Sequence, residues 1–365
     1  MKKTIALLMV LLLASFSGCV EGPEESAMKE NEAGDATMTH LRIGYQPSTH
    51  QIAEMVAMEK GWWKEDLAEF GITKVSDSEF PSGPPEMVAM MGGHLDIAYV
   101  GAAPPITAIA QGLDAKIVAA VQTQGSDLVL KPEINYTTPS DLSGLTIATF
   151  PPGSIQDTVF RKFLMDNGVS FETDGKKVSL LESFFNALKK IFGGKSDDRS
   201  DYVVIKEMGP GDAMAAITAG AVDGVFLPHP GPAVIEMEGN GRSVVGSGEM
   251  WQDHACCCLL VSGELIREHP EMVKQIIRTH INATEYLKGN QNESAEVFAN
   301  KTGYDLDKVK YSFETWDGAW ISDPRLEINS TLEFAKVQYD LGNIDTMLTK
   351  EDLFDTRFYN EVTGE

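Results

Sequence analysis

Short apolar runs alternate with amphipathic segments along most of the chain from residue 40 onward. The apolar runs predict buried strands at 41–45, 116–122, 126–131, 146–149 and 255–261. The amphipathic segments, in which apolar residues recur every three or four positions, predict helices, among them 51–60, 270–285 and 332–339. Strands that alternate with helices at this spacing indicate an α/β fold with mostly parallel sheets.

Residues 146–157 have the pattern of a buried strand, a turn of proline and glycine, and the first turn of a helix. Ser154 is a candidate N-cap, and Asp157 three positions later completes a weak capping box. A helix that begins just beyond a strand directs free N–H groups and the positive end of its dipole into a cleft, which suits an anionic or polar ligand. An ordinary strand-to-helix connection fits the same pattern.

Two segments of the chain repeat one order of loop, helix and strand. Gly93 and Asp96 in the first segment have the same offset from Gly220 and Asp223 in the second. We therefore predict two similar units, one in each of two α/β lobes.

The chain of 365 residues is longer than a single core usually fills, which is roughly 250 to 300 residues. We expect residues 40–130 and 255–365 to form lobe I and residues 131–254 to form lobe II. An insertion at 171–200 interrupts lobe II, and its residues 180–192 carry an apolar helical stripe. This stripe either packs on lobe II or docks a partner protein or a membrane surface.

Residues 1–19 have the pattern of an export signal peptide. Two lysines precede an apolar run at 5–13 that is too short to span a bilayer. The small residues before Cys19 resemble a bacterial lipobox, which implies acylation of Cys19; plain signal cleavage nearby is the alternative. Residues 20–39 are acidic and poor in large apolar side chains, so they predict a disordered tether. We expect an extracytoplasmic protein anchored to the outer face of the cell membrane.

The formal net charge of −24 narrows the classes of partner. Binding to nucleic acid or to an anionic membrane surface needs clustered lysine and arginine, and the composition does not favour either. The acidic surface is read as a solubilising one, which leaves a small molecule as the expected ligand.

Neutral hydrogen-bonding groups fill the loops that follow the predicted strands. The candidate ligand-binding residues are Gln46, Ser48, His50, Ser82, Gly83, Gly101, Ala102, Ser126, Gly153, Ser154, Gln156, His229 and His254. An anion held there would rest on neutral donors and helix dipoles. Such a site favours a small oxyanion or zwitterion over a multiply charged phosphate.

Metal binding and nucleophilic catalysis are weaker alternatives. His50, His229 and His254 could join Cys256 and Cys258 in a transition-metal site. No pair among them has tight ligand spacing, and adjacent cysteines in an apolar strand are more often buried thiols. We expect no metal and no cofactor, while a disulfide within the cysteine run stays open. The chain has no G-x-S-x-G motif, so Ser-His-Asp catalysis is not expected.

An ordered set of short motifs resembles one family between His40 and Tyr286. The motifs are 41–46 (LRIGYQ), 56–61 (VAMEKG), 82–84 (SGP), 95–101 (LDIAYVG), 146–148 (TIA), 152–154 (PGS) and 208–212 (MGPGD). In this order they resemble the solute-binding proteins of nitrate, sulfonate, taurine and bicarbonate ABC importers. The chain departs from that family at His229, where the family usually carries an acidic residue.

The resemblance implies a type II periplasmic-binding-protein fold, in which two α/β lobes joined by crossover strands close on a ligand like a hinge. The crossovers would be 128–131 and 255–261. It also implies a monomer that delivers its solute to the permease subunits of an ABC importer and catalyses no reaction.

A related branch of the same fold gives an alternative. The fungal thiamine-pyrimidine synthases carry a longer cysteine-rich run and a reactive histidine near the first strand, and Cys256, Cys257, Cys258 and His50 look similar to these features. The alternative function is a thiamine-pyrimidine-related protein, either a precursor-binding transport component or a synthase-like enzyme.

Overall fold

A computed structural model describes residues 38–173 and 201–365 in full and the backbone of 176–178. The expected signal peptide, Cys19 and nearly all of the expected tether lie outside the described residues. The apolar stripe expected at 180–192 lies outside them as well.

The strands and helices follow the alternation of the sequence. The strands are β1 (His40–Tyr45), β2 (Lys74–Glu79), β3 (Ile97–Gly101), β4 (Ala115–Thr123), β5 (Ser126–Leu130), β6 (Thr146–Thr149), β7 (Phe171–Thr173), β8 (Lys176–Val178), β9 (Val203–Glu207), β10 (Gly224–Pro228), β11 (Arg242–Gly246), β12 (Ala255–Ser262) and β13 (Ala319–Trp320). The helices are α1 (Ile52–Glu59), α2 (Trp62–Asp66), α3 (Gly83–Met91), α4 (Ala103–Ala110), α5 (Ile155–Asp166), α6 (Pro210–Thr218), α7 (Gly231–Met237), α8 (Ser247–Met250), α9 (Gly263–Glu268), α10 (Pro270–Gly289), α11 (Gln291–Thr302), α12 (Leu306–Thr315), α13 (Ile328–Asp340), α14 (Lys350–Leu353) and α15 (Arg357–Thr363). Each strand predicted from the apolar runs is present.

The described strands form two sheets. The first has the order β13-β4-β12-β3-β1-β2, and the second has the order β11-β5-β10-β6-β9-β7-β8. β1 pairs in parallel with β2 and β3, and β6 pairs in parallel with β9 and β10. The parallel part of the expectation therefore holds for β3, β1 and β2 on one side of the first sheet and for β10, β6, β9 and β7 in the second. It is wrong for β12 and β5, which pair antiparallel with their neighbours in the first and second sheet.

The chain crosses between the sheets twice. It leaves the first sheet after Thr123 and enters the second at Ser126, and it returns between Gly246 and Ala255. β5 lies in the second sheet because its partners are β10 and β11, whereas the sequence analysis placed it at the end of lobe I. The crossings are thus short connections before β5 and before β12.

The repeated unit has a physical basis in two aspartates. Asp96 Oδ2 accepts the backbone N–H of Arg42 in β1 at 2.7 Å, and Asp223 Oδ2 accepts that of Thr146 in β6 at 2.8 Å. Each carboxylate lies just before the strand of its own unit and binds the parallel strand beside it. The shared offset in the sequence therefore reflects an equivalent contact in both sheets.

Two buried apolar clusters support these layers. The larger one includes Ile43, Val100, Leu259 and Phe334, and the smaller one lies against the second sheet around Val129, Val225 and Ile235. Within the described ranges, no helix combines the length and the apolar character needed to cross a membrane.

Candidate functional site

A cavity of about 320 Å³ lies between the two sheets, where strands end and helices begin. Its walls come from the ends of β1, β3, β6 and β10, the start of β12, and the first residues of α3 and α5. The lining residues are Gln46, Ser48, His50, Gly83, Gly101, Pro104, Phe150, Ser154, Ile155, Gln156, Pro228, Cys256 and Cys257. We call this space the cleft.

A second cavity of about 330 Å³ adjoins the cleft. It shares Gln46, Ser48, Phe150 and Pro228 with the cleft and adds His229 and Tyr304. Both cavities are small. The space therefore suits a small solute.

The structure brings most of the predicted ligand-binding residues together. Those that line the cleft are Gln46, Ser48, His50, Gly83, Gly101, Ser154 and Gln156, and His229 lines the adjoining cavity. Whether they bind a ligand stays a prediction.

The other predicted residues line neither cavity. Ser126, Ser82 and Ala102 are buried beside the cleft, and Gly153 lines a separate cavity formed with α3 and α4. His254 is fully buried, donates from Nδ1 to the carbonyl oxygen of Ala255 at 2.8 Å, and packs against aromatic rings. Burial lowers the pKa of His254 to about 4, so the side chain is neutral in this position.

Ser154 begins α5 at the edge of the cleft, as the sequence predicts. Its Oγ accepts the N–H of Asp157 at 3.2 Å, which is the expected cap. The second hydrogen bond of the expected capping box is not formed, so that part of the prediction is wrong. The Asp157 carboxylate accepts the N–H of Gly153 at 3.4 Å rather than that of Ser154. The helix end is still directed at the cleft, since Ser154, Ile155 and Gln156 all line it.

Gln46 and Gln156 are held in place by buried partners. Gln46 Nε2 donates to Glu86 Oε2 at 2.8 Å, and Gln156 Nε2 donates to Ser126 Oγ at 3.1 Å. Burial raises the pKa of Glu86 well above its usual value, and the hydrogen bond from Gln46 only partly opposes this. Burial therefore favours the protonated form of this carboxyl group. The nitrogen of each amide is thus bound to a buried partner.

His50 meets the cysteine run at the base of the cleft. Its Nδ1 lies 3.3 Å from Cys256 Sγ and 3.9 Å from Cys257 Sγ, while Nε2 lies 2.7 Å from the carbonyl oxygen of Gly125. The contact differs in two ways from the group of candidate metal ligands that the sequence suggested. Cys257, not Cys258, completes the group with Cys256, and neither of the other two candidate histidines belongs to it.

His229 ties the second sheet to α12. Its Nε2 lies 3.2 Å from Asp127 Oδ2, and its Nδ1 lies 3.0 Å from Ser312 Oγ. All three side chains are nearly inaccessible to solvent, at 1%, 6% and 0% exposure. The three side chains form a hydrogen-bonded row of serine, histidine and aspartate. Because the hydroxyl of Ser312 is buried, this row does not present a nucleophile to a substrate.

The described residues that line the two cavities include no lysine and no arginine. Polar contacts in this part of the chain come from amides, hydroxyls, imidazoles and thiols. The polar groups that line the two cavities are therefore the neutral ones that the sequence predicts.

Phe150, Pro228, Cys256 and Cys257 line the cleft although the sequence reasoning did not select them as ligand-binding residues. Phe150 directly follows the predicted strand at 146–149, and Pro228 ends the second of the two repeated segments, so their positions carried a signal. Nothing in the sequence indicated that both cysteines face the cleft, because the alternation of a regular strand would place neighbours on opposite faces.

Comparisons with known proteins agree with this geometry. The chain is 24% identical over 259 residues to the bicarbonate transport ATP-binding protein CmpC of Synechocystis sp.. This match covers 70% of this chain and 36% of that protein. The chain thus spans about a third of the length of that relative. The periplasmic nitrate-binding protein NrtA from Synechocystis PCC 6803 superposes with a TM-score of 0.69 at 14% identity, over 90% of this chain and 89% of that one.

The periplasmic aliphatic sulphonate binding protein SsuA from Escherichia coli superposes with a TM-score of 0.68 at 19% identity, over 87% of this chain and 92% of that one. The fold expected from the resemblance, a two-lobed periplasmic-binding-protein-like α/β architecture with a helical C-terminal part, is confirmed by these superpositions. A model of the NMT1-like family matches residues 34–300. Since the matched segment is well over half of the 365 residues, the chain belongs to the NMT1-like family.

Proposed function

We propose that this chain is the substrate-binding component of an ABC importer and captures a small oxyanion or zwitterion in the cleft. The observation that carries the proposal is the cleft itself, whose walls come from strand ends and helix starts of both sheets. In open α/β sheets, ligands bind beyond the carboxyl ends of the strands. The solute is held and released unchanged, so the proposed protein is a binding protein and not an enzyme.

The relatives support the class of solute. CmpC is named for bicarbonate transport, NrtA for nitrate and SsuA for aliphatic sulphonates. Each of these solutes is a small anion with oxygen atoms, and the neutral donors of the cleft suit one negative charge better than several. The start of α5 supplies the favourable end of a helix dipole beside Ser154.

The remaining parts of the proposal concern the place of the protein in the cell. Export through residues 1–19, a lipid on Cys19 and a tether at 20–39 would hold the binding domain at the outer face of the membrane. The protein would act there as a monomer and deliver its solute to permease subunits. Its two lobes would be built on the two sheets and close about the two connections between them.

A thermal-shift screen of the purified protein tests the solute class. The panel contains nitrate, bicarbonate, taurine, an alkanesulfonate and thiamine precursors, and we expect one solute to raise Tm as its concentration rises. Binding to the folded state alone adds about 2.7 kcal/mol to the free energy of unfolding when the free solute is 100 times Kd.

A pair of cap variants separates solute binding from helix capping. Ser154→Ala removes the α5 cap and a cleft hydroxyl, whereas Ser262→Ala removes the α9 cap, whose Oγ accepts from Leu265 at 3.3 Å outside the cleft. Both variants should lose about 1 kcal/mol of stability. Only Ser154→Ala should weaken the binding of the solute. The proposal fails if no solute shifts Tm and mass spectrometry of the denatured protein detects no released small molecule.

One observation favours a second candidate, a thiamine-pyrimidine-related protein on the same fold. His50 lies against Cys256 and Cys257 in the cleft, as the similarity to that branch would require. A Tm shift with thiamine precursors and none with the inorganic anions or sulfonates would favour this candidate.

A further inference from the structure

A β-bulge turns two neighbouring cysteines toward the same cleft. Ala255 pairs with Thr123 of β4 and Cys257 pairs with Gln122, so Cys256 is an extra residue without a partner in β4. Such a bulge changes the direction in which side chains point and is frequent beside functional sites. Cys256 and Cys257 therefore both line the cleft, at 1% and 4% exposure.

The hydrogen bond behind His50 fixes which nitrogen faces the sulfurs. A carbonyl oxygen can only accept, so Nε2 carries the proton that it donates to Gly125 at 2.7 Å. Nδ1 is then the nitrogen with a lone pair, and it is the atom directed at both cysteines. Metal-binding histidines usually show this arrangement, in which the second ring nitrogen donates to a carbonyl or carboxylate.

The three donor atoms lie at the corners of one face of a tetrahedron. Zn–S distances near 2.3 Å and Zn–N distances near 2.0 to 2.1 Å give S–S edges of about 3.8 Å and S–N edges of about 3.6 Å. Cys256 Sγ and Cys257 Sγ are 3.9 Å apart, and Nδ1 is 3.3 and 3.9 Å from them. The three donor atoms could therefore bind an ion with little movement of their side chains.

The surroundings of the three donors favour a bound cation. Gln51 Nε2 donates to Cys257 Sγ at 3.6 Å and orients it. The described residues around the cleft supply no lysine or arginine that would repel a metal ion.

We propose that His50 Nδ1, Cys256 Sγ and Cys257 Sγ bind a thiophilic metal ion of the Zn²⁺ or Cu⁺ class. Soft thiolates with one imidazole select such ions over Mg²⁺ or Ca²⁺. A divalent ion replaces the thiol protons, so up to two protons leave and the site with two thiolates and a neutral imidazole is uncharged. Three protein ligands leave a fourth position, which faces the cleft.

Titration of the reduced protein with Co²⁺, a spectroscopic substitute for Zn²⁺, tests the site. Every sample carries Cys19→Ala, so that only the cysteine run supplies thiols. We expect a thiolate-to-cobalt charge-transfer band at one equivalent, which one equivalent of Zn²⁺ removes. Cys257→Ser should weaken binding more than about 100-fold, since even second-shell changes cost 10- to 100-fold.

Cys258→Ser is the matched control, because Cys258 is equally buried in the same strand but outside the donor group. It should retain the band and the affinity. His50→Ala should lose them, while His280→Ala, which removes a buried histidine bound to Ala120 at 2.7 Å, should retain them. Far-ultraviolet circular dichroism confirms that each variant is folded.

Three results overturn the proposal: no charge-transfer band in the reduced protein, equal loss in Cys257→Ser and Cys258→Ser, or a band that Zn²⁺ does not displace. Metal binding is measured without solute and goes beyond the proposed function. A failure here therefore leaves the importer proposal intact, and a negative solute screen leaves the metal site intact.

Discussion

Gly101 lets the two walls of the cleft approach each other. It ends β3 in the first sheet, and a Cβ at this position would lie 2.8 Å from Cγ1 of Ile155 at the start of α5. Real Cβ atoms do not approach so closely, so a larger residue would force the Ile155 side chain at the start of α5 to shift. The close approach of β3 and α5 thus depends on the absence of a side chain at Gly101.

Gly101→Ala should therefore lower the free energy of unfolding by about 1–3 kcal/mol, as overpacking usually does. Gly211→Ala in α6 is the control, because nothing lies within 4 Å of its added Cβ. The control should leave stability unchanged or raise it by less than about 1 kcal/mol. Urea denaturation followed by circular dichroism measures both. Equal stability of the two variants would show that β3 and α5 are not in contact in solution.

The residues that the sequence could identify are those whose neighbours along the chain define their surroundings. Ser154 precedes an amphipathic run directly after a strand, so its role as a cap was readable. Cys257 was not, because its direction depends on the extra residue at Cys256 and on pairing with β4, far away along the chain. His254 follows the same rule, since its burial depends on Phe334 in α13.

At the scale of elements, α1 is buried on nearly every side. It packs against α10 and α11, which come more than two hundred residues later, and its buried residues include Glu54 as well as apolar side chains. The apolar pattern of residues 51–60 was sufficient to predict a helix. It could not predict which elements cover that helix, because only the folded chain brings α10 and α11 to it.

Glu54 gives this burial a measurable pH dependence. Burial, with help from Asp77, raises the pKa of Glu54 to about 8, against the opposing charge of Lys301. Between the ordinary value of 4.5 and about 8, the folded chain holds a proton that the unfolded chain has lost. The free energy of unfolding therefore falls as the pH rises through this window.

Glu54→Gln removes that proton linkage while keeping the size of the side chain. Relative to the wild type, the variant should gain stability from pH 5 to pH 8, by on the order of a few kcal/mol. Glu59→Gln, at an exposed position of the same helix, should show no such trend. Urea denaturation across this pH range measures both, and a difference that does not change with pH would contradict the buried, protonated state of Glu54.

At the scale of the whole molecule, one carboxylate binds both connections between the sheets. Asp317 Oδ1 accepts the N–H of Gly125 at 2.8 Å, and Asp317 Oδ2 accepts that of Gly248 at 2.6 Å. Gln124 adds a bond from its Nε2 to the Asp317 carbonyl at 2.6 Å. Asp317 therefore links the two connections although it lies in neither, and no local sequence pattern selects it.

Asp317→Asn keeps the shape of the side chain but leaves one of these two N–H groups without an oxygen acceptor. A hydrogen bond to a charged group contributes about 1.5–3 kcal/mol, and the variant should lose stability by about this amount. Hydrogen exchange measured by mass spectrometry should become faster at Gly125 or Gly248, because the connection that loses its bond opens more often. Asp323→Asn is the control, since its carboxylate binds Arg325 at an exposed turn away from both connections. If both variants leave exchange in the connections unchanged, Asp317 does not restrain the crossing, and closure of the two sheets on a solute is governed by other contacts.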